Sequence, residues 1–157
     1  MAASPLAICV LVAVLTVSAA TFTPLNYKNC KSGYTIKSVN VDNAEIQGDH
    51  AVFKRGTKPT IQIEFEAGAD TPSLTASVRS KLAGGTTFSN FQLTPDDACV
   101  GGSLPCPLAA GKTYTYTQSV EIADTYPIVQ DVQVNWALSS GGKTREICII
   151  FLANVAE

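Results

Sequence analysis

Thr60-Ile-Gln-Ile-Glu-Phe-Glu-Ala67 alternates without a break, with Ile61, Ile63 and Phe65 on one side and Gln62, Glu64 and Glu66 on the other. A period of two over this length marks a strand with one buried and one wet face. Leu74, Ala76, Val78 and Leu82 repeat the pattern against Thr75, Ser77, Arg79 and Lys81. Tyr114, Tyr116, Val120 and Ile122 form a third set, and Val132, Val134, Trp136 and Leu138 a fourth. Shorter strands are expected at Ile36 to Val41 and Ala51 to Lys54. Cys148-Ile-Ile-Phe-Leu152 is apolar throughout, which predicts a strand covered on both faces. Turn formers separate these runs: Gly48-Asp49-His50, Gly68 to Pro72, Gly84-Gly85, Pro95-Asp96-Asp97 and Gly141-Gly142. No long helical period interrupts them. The expectation is an all-β, immunoglobulin-like β-sandwich of about seven strands in two antiparallel sheets.

The chain has 157 residues. Leu6 to Val17 is almost wholly apolar and is followed by Ser18-Ala19-Ala20, so residues 1–20 read as a signal peptide and 21–157 as one domain. About a dozen apolar residues are too few to span a bilayer, which needs about twenty. The net charge is −2, and Lys and Arg are scattered rather than gathered on one face. That argues against nucleic acid and against strong electrostatic membrane binding, and leaves at most transient membrane contact. Five cysteines are present, of which Cys9 falls in the leader. Cys99 and Cys106 bracket a turn-rich loop and are expected to pair, which leaves Cys30 for Cys148. The longer closure should stabilise by about 4 to 5 kcal/mol in the chain-entropy model. With a single histidine and no Cys-x-x-Cys, no metal site is expected.

Catalysis finds little to work with. His50 lies in a Gly-Asp-His turn and reads as a surface residue. No Gly-x-Ser-x-Gly elbow or phosphate-cradling loop occurs, and pairing leaves no free cysteine in the domain. Asp96 and Asp97 sit in a turn, where they are expected to accept backbone N–H groups rather than act as an acid–base pair. Phe88 and Phe91, and the Tyr126-Pro127-Ile128-Val129 segment, are either core plugs at one end of the sandwich or the rim of an opening between its sheets. Neither an enzyme nor a cofactor is expected.

The order Cys99…Cys106-Pro107-Leu108…Gly111-Lys112-x-Tyr114-x-Tyr116…Tyr126-Pro127…Val134-x-Trp136-x-Leu138…Cys148 resembles the ML (lipid-recognition) domain family. It is most similar to the Niemann-Pick type C two, or epididymal secretory protein, branch. The resemblance implies a sandwich whose sheets splay to leave an apolar cavity, with a sterol bound tail inward and hydroxyl near the mouth. Carried over position by position, Phe91 matches a cavity phenylalanine, and Val120, Ile122, Tyr126 and Pro127 match the wall and mouth. Val129, Val132, Val134 and Trp136 match the next strand, and Phe65 is added as a lipid-binding candidate from the alternating run. The partners so implied are a sterol, or else a phospholipid, fatty acid or other lipid, and a membrane sterol transporter. A secreted immune-recognition or interaction module of the same fold is the reading from a different class. A monomer is expected, secreted or in the endosomal–lysosomal lumen. The chain departs from the better-known sterol carriers in having no cysteine between Val41 and His50, where they carry a third disulfide. Ile149 stands where mammalian carriers place tryptophan. It also has no Asn-x-Ser/Thr sequon.

Overall fold

The structure, a computed structural model, describes residues 19–141 and 144–157. The expected leader therefore lies outside the described residues, apart from Ala19 and Ala20. Eleven strands run in chain order among the described residues: β1 (Thr23–Pro24), β2 (Lys28–Asn29), β3 (Thr35–Asp42), β4 (Glu45–Gln47), β5 (His50–Lys54) and β6 (Thr60–Glu66), followed by β7 (Thr75–Leu82), β8 (Ser89–Phe91), β9 (Thr113–Ser119), β10 (Val129–Ser139) and β11 (Ile147–Ala156). They form a four-stranded sheet in the order β1-β3-β6-β9 and a larger one in the order β4-β5-β11-β10-β7-β8, with β2 also on β11. The molecule is an immunoglobulin-like sandwich.

The alternation in Thr60–Glu66 does what its pattern dictates. Ile61, Ile63 and Phe65 are buried, while the residues between them are partly exposed on the outer face. All pairings are antiparallel except β5 with β11, which is parallel. Strand periodicity carries no direction of pairing, so this exception could not be read beforehand. The last strand is covered on both faces only in its first half. Ile147, Cys148 and Ile149 are buried, whereas Leu152 is 36% exposed.

Both disulfides pair as expected, Cys30 with Cys148 and Cys99 with Cys106. The first ties the segment around β2 onto β11, reinforced by the hydrogen bond from Cys30 N–H to the Cys148 carbonyl. In the second loop, Asp97 Oδ1 accepts the Cys99 N–H at 2.8 Å, the turn role expected for it. This loop then crosses the free edge of β9, where Thr117 N–H donates to the Gly102 carbonyl at 3.0 Å. A Cβ on Gly102 would lie 2.2 Å from Tyr116 Cε2 and 2.5 Å from the Ala98 carbonyl oxygen. Tyr116 is fully buried and cannot yield. Gly102→Ala is therefore expected to cost about 1 to 3 kcal/mol. Gly33→Ala, whose nearest contact would be 3.6 Å, should leave the thermal melting temperature nearly unchanged. Equal melting temperatures for the two variants would refute the close approach.

Candidate lipid-binding cavity

The two sheets pack tightly at one end and leave space at the other. The tight end is filled by Tyr34, Phe65, Leu74, Leu108, Leu138 and Ile147, all buried. The open end holds a cavity of about 680 Å³. That lies within the range of about 300 to 1,000 Å³ found for small-molecule sites.

Register explains how the wall is laid. Across the larger sheet, Trp136 pairs with Val78, which pairs with Phe91. One rung nearer the mouth, Phe151, Val134, Ser80 and Ser89 stand in a row. The next rung is Ala153, Val132 and Leu82. On the four-stranded side, Val41 faces Ile61 across β3 and β6, and both line the cavity. Val120 and Ile122 continue beyond the end of β9. Their N–H groups donate to the Pro59 and Thr57 carbonyls, each at 3.0 Å, and hold them against the wall. Tyr126 closes the arrangement edge-on to Phe91, with ring centroids 6.2 Å apart. Arg55 Nη1 donates to the Tyr126 carbonyl at 3.5 Å, anchoring that segment from outside.

Nine of the ten candidates line this cavity: Phe91, Val120, Ile122, Tyr126, Pro127, Val129, Val132, Val134 and Trp136. Phe65 does not. It lies four residues beyond Ile61 along β6, about 13 Å at strand rise, in the closed end. There it stacks on Tyr34 with ring centroids 6.0 Å apart and meets Tyr114 at 6.3 Å. Between it and the cavity lies the floor, where Tyr116 packs edge-on against Trp136 at 6.2 Å. Burial pushes the Tyr116 phenol above its ordinary pKa, and it donates a hydrogen bond to Gln118 Oε1. Phe65 is core.

Val129 and Val132 are three residues apart and would face opposite ways on a regular strand. A bulge between them restores the parity. Asp131 takes a φ of 55°, its N–H donates to Asn154 Oδ1 at 3.0 Å, and its Oδ1 is hydrogen-bonded to His50 Nε2 at 2.8 Å. His50, expected as a wet turn residue, instead opens β5 and takes part in this clasp. A β-branched residue fits poorly at positive φ. Asp131→Val should destabilise by about 1 to 3 kcal/mol. Asp131→Gly, which keeps the backbone at ease, should lose less in the same urea titration. The reverse order would mean that the bulge does not depend on that backbone conformation.

Sequence reasoning missed Val41, Phe53, Val78, Ser80 and Phe151, which also line the cavity. Their signal was present as inward parity, but parity does not separate cavity wall from solid core. The wall contains no histidine, cysteine or carboxylate among the described residues. Such a surface can bury and orient an apolar guest, and it offers no acid–base pair.

The family model of the ML domain matches residues 24–155. The chain belongs to the ML-domain family. The heh-1 protein of Caenorhabditis elegans is 38% identical over 94% of this chain and 97% of its own length. The NPC intracellular cholesterol transporter 2 of Mus musculus is 30% identical, over 84% of this chain and 85% of its own. Among solved structures, a Niemann-Pick type C2 protein from the Japanese carpenter ant superposes with a TM-score of 0.74 at 14% identity, covering 83% of this chain and 98% of that one. At that identity the likeness is one of fold. The ML domain is a lipid-binding fold, and the cavity is where this chain has room for a lipid.

Proposed function

We propose that this chain binds one sterol in the cavity between its sheets and carries it to a membrane acceptor. The observation that carries the reading is the size and chemistry of the cavity: a mostly apolar volume of about 680 Å³ whose lining includes Leu82, Tyr126, Pro127 and Val129. A sterol presents a rigid apolar body with one hydroxyl, so it needs burial and few polar contacts. Hiding on the order of 400 Å² of it at about 25 cal/mol per Å² contributes roughly 10 kcal/mol before the costs of association. The relatives named as cholesterol transporters support the choice of a sterol over other lipids. Two disulfides suit secretion or a luminal compartment, where thiols are kept oxidised. A membrane sterol transporter is the acceptor this reading calls for, met through transient contact by a monomeric carrier.

The test is a titration of the purified protein with a fluorescent sterol, in competition with cholesterol, a diacyl phospholipid and palmitate. Saturation at one sterol per chain, displaced by cholesterol and not by the others, is expected. Displacement by phospholipid or palmitate alone would move the ligand class while keeping the cavity. No saturation with any probe would sink the carrier reading and favour an interaction module of the same fold.

A further inference from the structure

Most of the cavity wall stands on strands, but Tyr126 and Pro127 belong to residues 123–127, which lie between β9 and β10 outside any strand. The chain is pinned as far as Ile122, whose N–H donates to the Thr57 carbonyl and whose own carbonyl accepts the Gly56 N–H at 2.7 Å. It is pinned again at Val129, which pairs with Val155. In between, the Tyr126 N–H turns back on the Ala123 carbonyl at 3.0 Å, a bond within the segment. Among the described residues, one hydrogen bond ties residues 123–127 to another element, from Arg55 Nη1 to the Tyr126 carbonyl at 3.5 Å.

Arg55 is well placed to hold that segment. Its backbone is fixed beside β11, where the Arg55 N–H donates to the Ala156 carbonyl at 3.0 Å. Its Nη2 donates to the Glu157 carboxylate, so each arm of the planar fork is engaged. Glu157 holds the guanidinium above its ordinary pKa, with the charge of Asp124 adding to the effect. Arg55 in turn holds the Glu157 carboxyl below the usual carboxylate range. Asp124 lies in the segment itself, its carboxylate against Gly56, where an added Cβ would come within 2.7 Å of Oδ1. One side chain thus grips residues 123–127 by a hydrogen bond and by charge. The Glu157 side chain is 76% exposed, which leaves the grip open to screening by salt.

Resting on the lipid-carrier reading above, we infer that Arg55 is a positioning residue that latches residues 123–127 against the cavity, and that opening of this latch sets the rate at which the guest enters and leaves. Arg55 itself does not line the cavity. Because its contacts do not include the guest, losing them speeds entry and exit alike and leaves affinity nearly unchanged.

The chain has one tryptophan, Trp136, which lines the cavity, so energy transfer from it to dehydroergosterol follows entry and exit in stopped-flow mixing. Arg55→Ala should raise the association and dissociation rates together by about threefold to tenfold, with the dissociation constant held within about twofold. Glu157→Gln, or about 1 M sodium chloride, should raise the wild-type rates part of the way, and salt should add nothing in Arg55→Ala. Arg55→Lys, a point charge without the two-armed fork, should fall between wild type and Arg55→Ala. Wild-type rates in Arg55→Ala would overturn the latch, as would faster exit without faster entry, the mark of a binding contact. Hydrogen exchange of the ligand-free protein tests the latch apart from the carrier reading. In Arg55→Ala the amides of residues 123–126 should exchange faster while those of β6 and β9 keep their rates. If no sterol enters wild type, the carrier reading fails by itself. Unchanged exchange at residues 123–126, or acceleration spread over the whole sandwich, would overturn the latch as well.

Discussion

Replacement of Cys30 and Cys148 by alanine is expected to lower the free energy of unfolding by about 5 kcal/mol, against about 2.5 kcal/mol for the same change at Cys99 and Cys106. The difference follows from the lengths of chain closed, with sequence separations of 118 and 7. The longer bridge also anchors β2, whose pairing with β11 is limited to Ile149 with Asn29 and Ile150 with Lys28. A domain of this size is commonly stable by only about 5 to 15 kcal/mol, so losing the longer bridge removes much of the margin. An empty cavity adds to the strain on that margin, because its lining lacks the packing contacts a solid core would supply. Urea titrations of the two double variants measure both values. Equal losses, or a larger loss at Cys99–Cys106, would show that chain entropy is not what the longer bridge contributes.

Val134→Trp is expected to abolish lipid binding, weakening it by about 100-fold or more, which corresponds to about 2.7 kcal/mol. Val134 stands in the middle rung of the wall, between Phe151 and Ser80, so an indole there occupies the space the guest needs. In a solid core the same enlargement would overpack and destabilise. Here it enters open volume, and the melting temperature should stay level or rise. Phe65→Leu makes the opposite pair of changes. It thins the packing against Tyr34 and Tyr114 at the closed end, at a cost of about 1 to 2 kcal/mol, and leaves binding intact. Loss of binding in Phe65→Leu with retention in Val134→Trp would place the guest at the wrong end of the molecule.

Phe65 also shows how far the sequence could be read. Its alternation with Ile61 and Ile63 correctly put all three on the inner face. Nothing in a period of two tells depth along the strand, and depth is what separates Ile61 in the cavity wall from Phe65 behind the floor. Val129 and Val132 show the reverse situation. The family resemblance set both in the wall although their spacing forbids it for a regular strand. The bulge that reconciles them has only a faint local mark, an aspartate able to take a positive φ. Ser80 shares the parity of Val78 and Leu82, so a hydroxyl facing inward was legible. That it would meet Ser89 depended on the register of β7 with β8, which only the fold supplies. The parallel pairing of β5 with β11 and the partnership of His50 with Asp131 are likewise contacts between distant segments, without a local trace.

The most direct measurement is the lipid content of the natively purified protein, extracted with solvent and identified by mass spectrometry before and after incubation with cholesterol. Wild type is expected to hold a sterol at close to one per chain, and Val134→Trp almost none. A protein that holds no lipid and takes up none when sterol is offered would contradict the sterol-carrier reading.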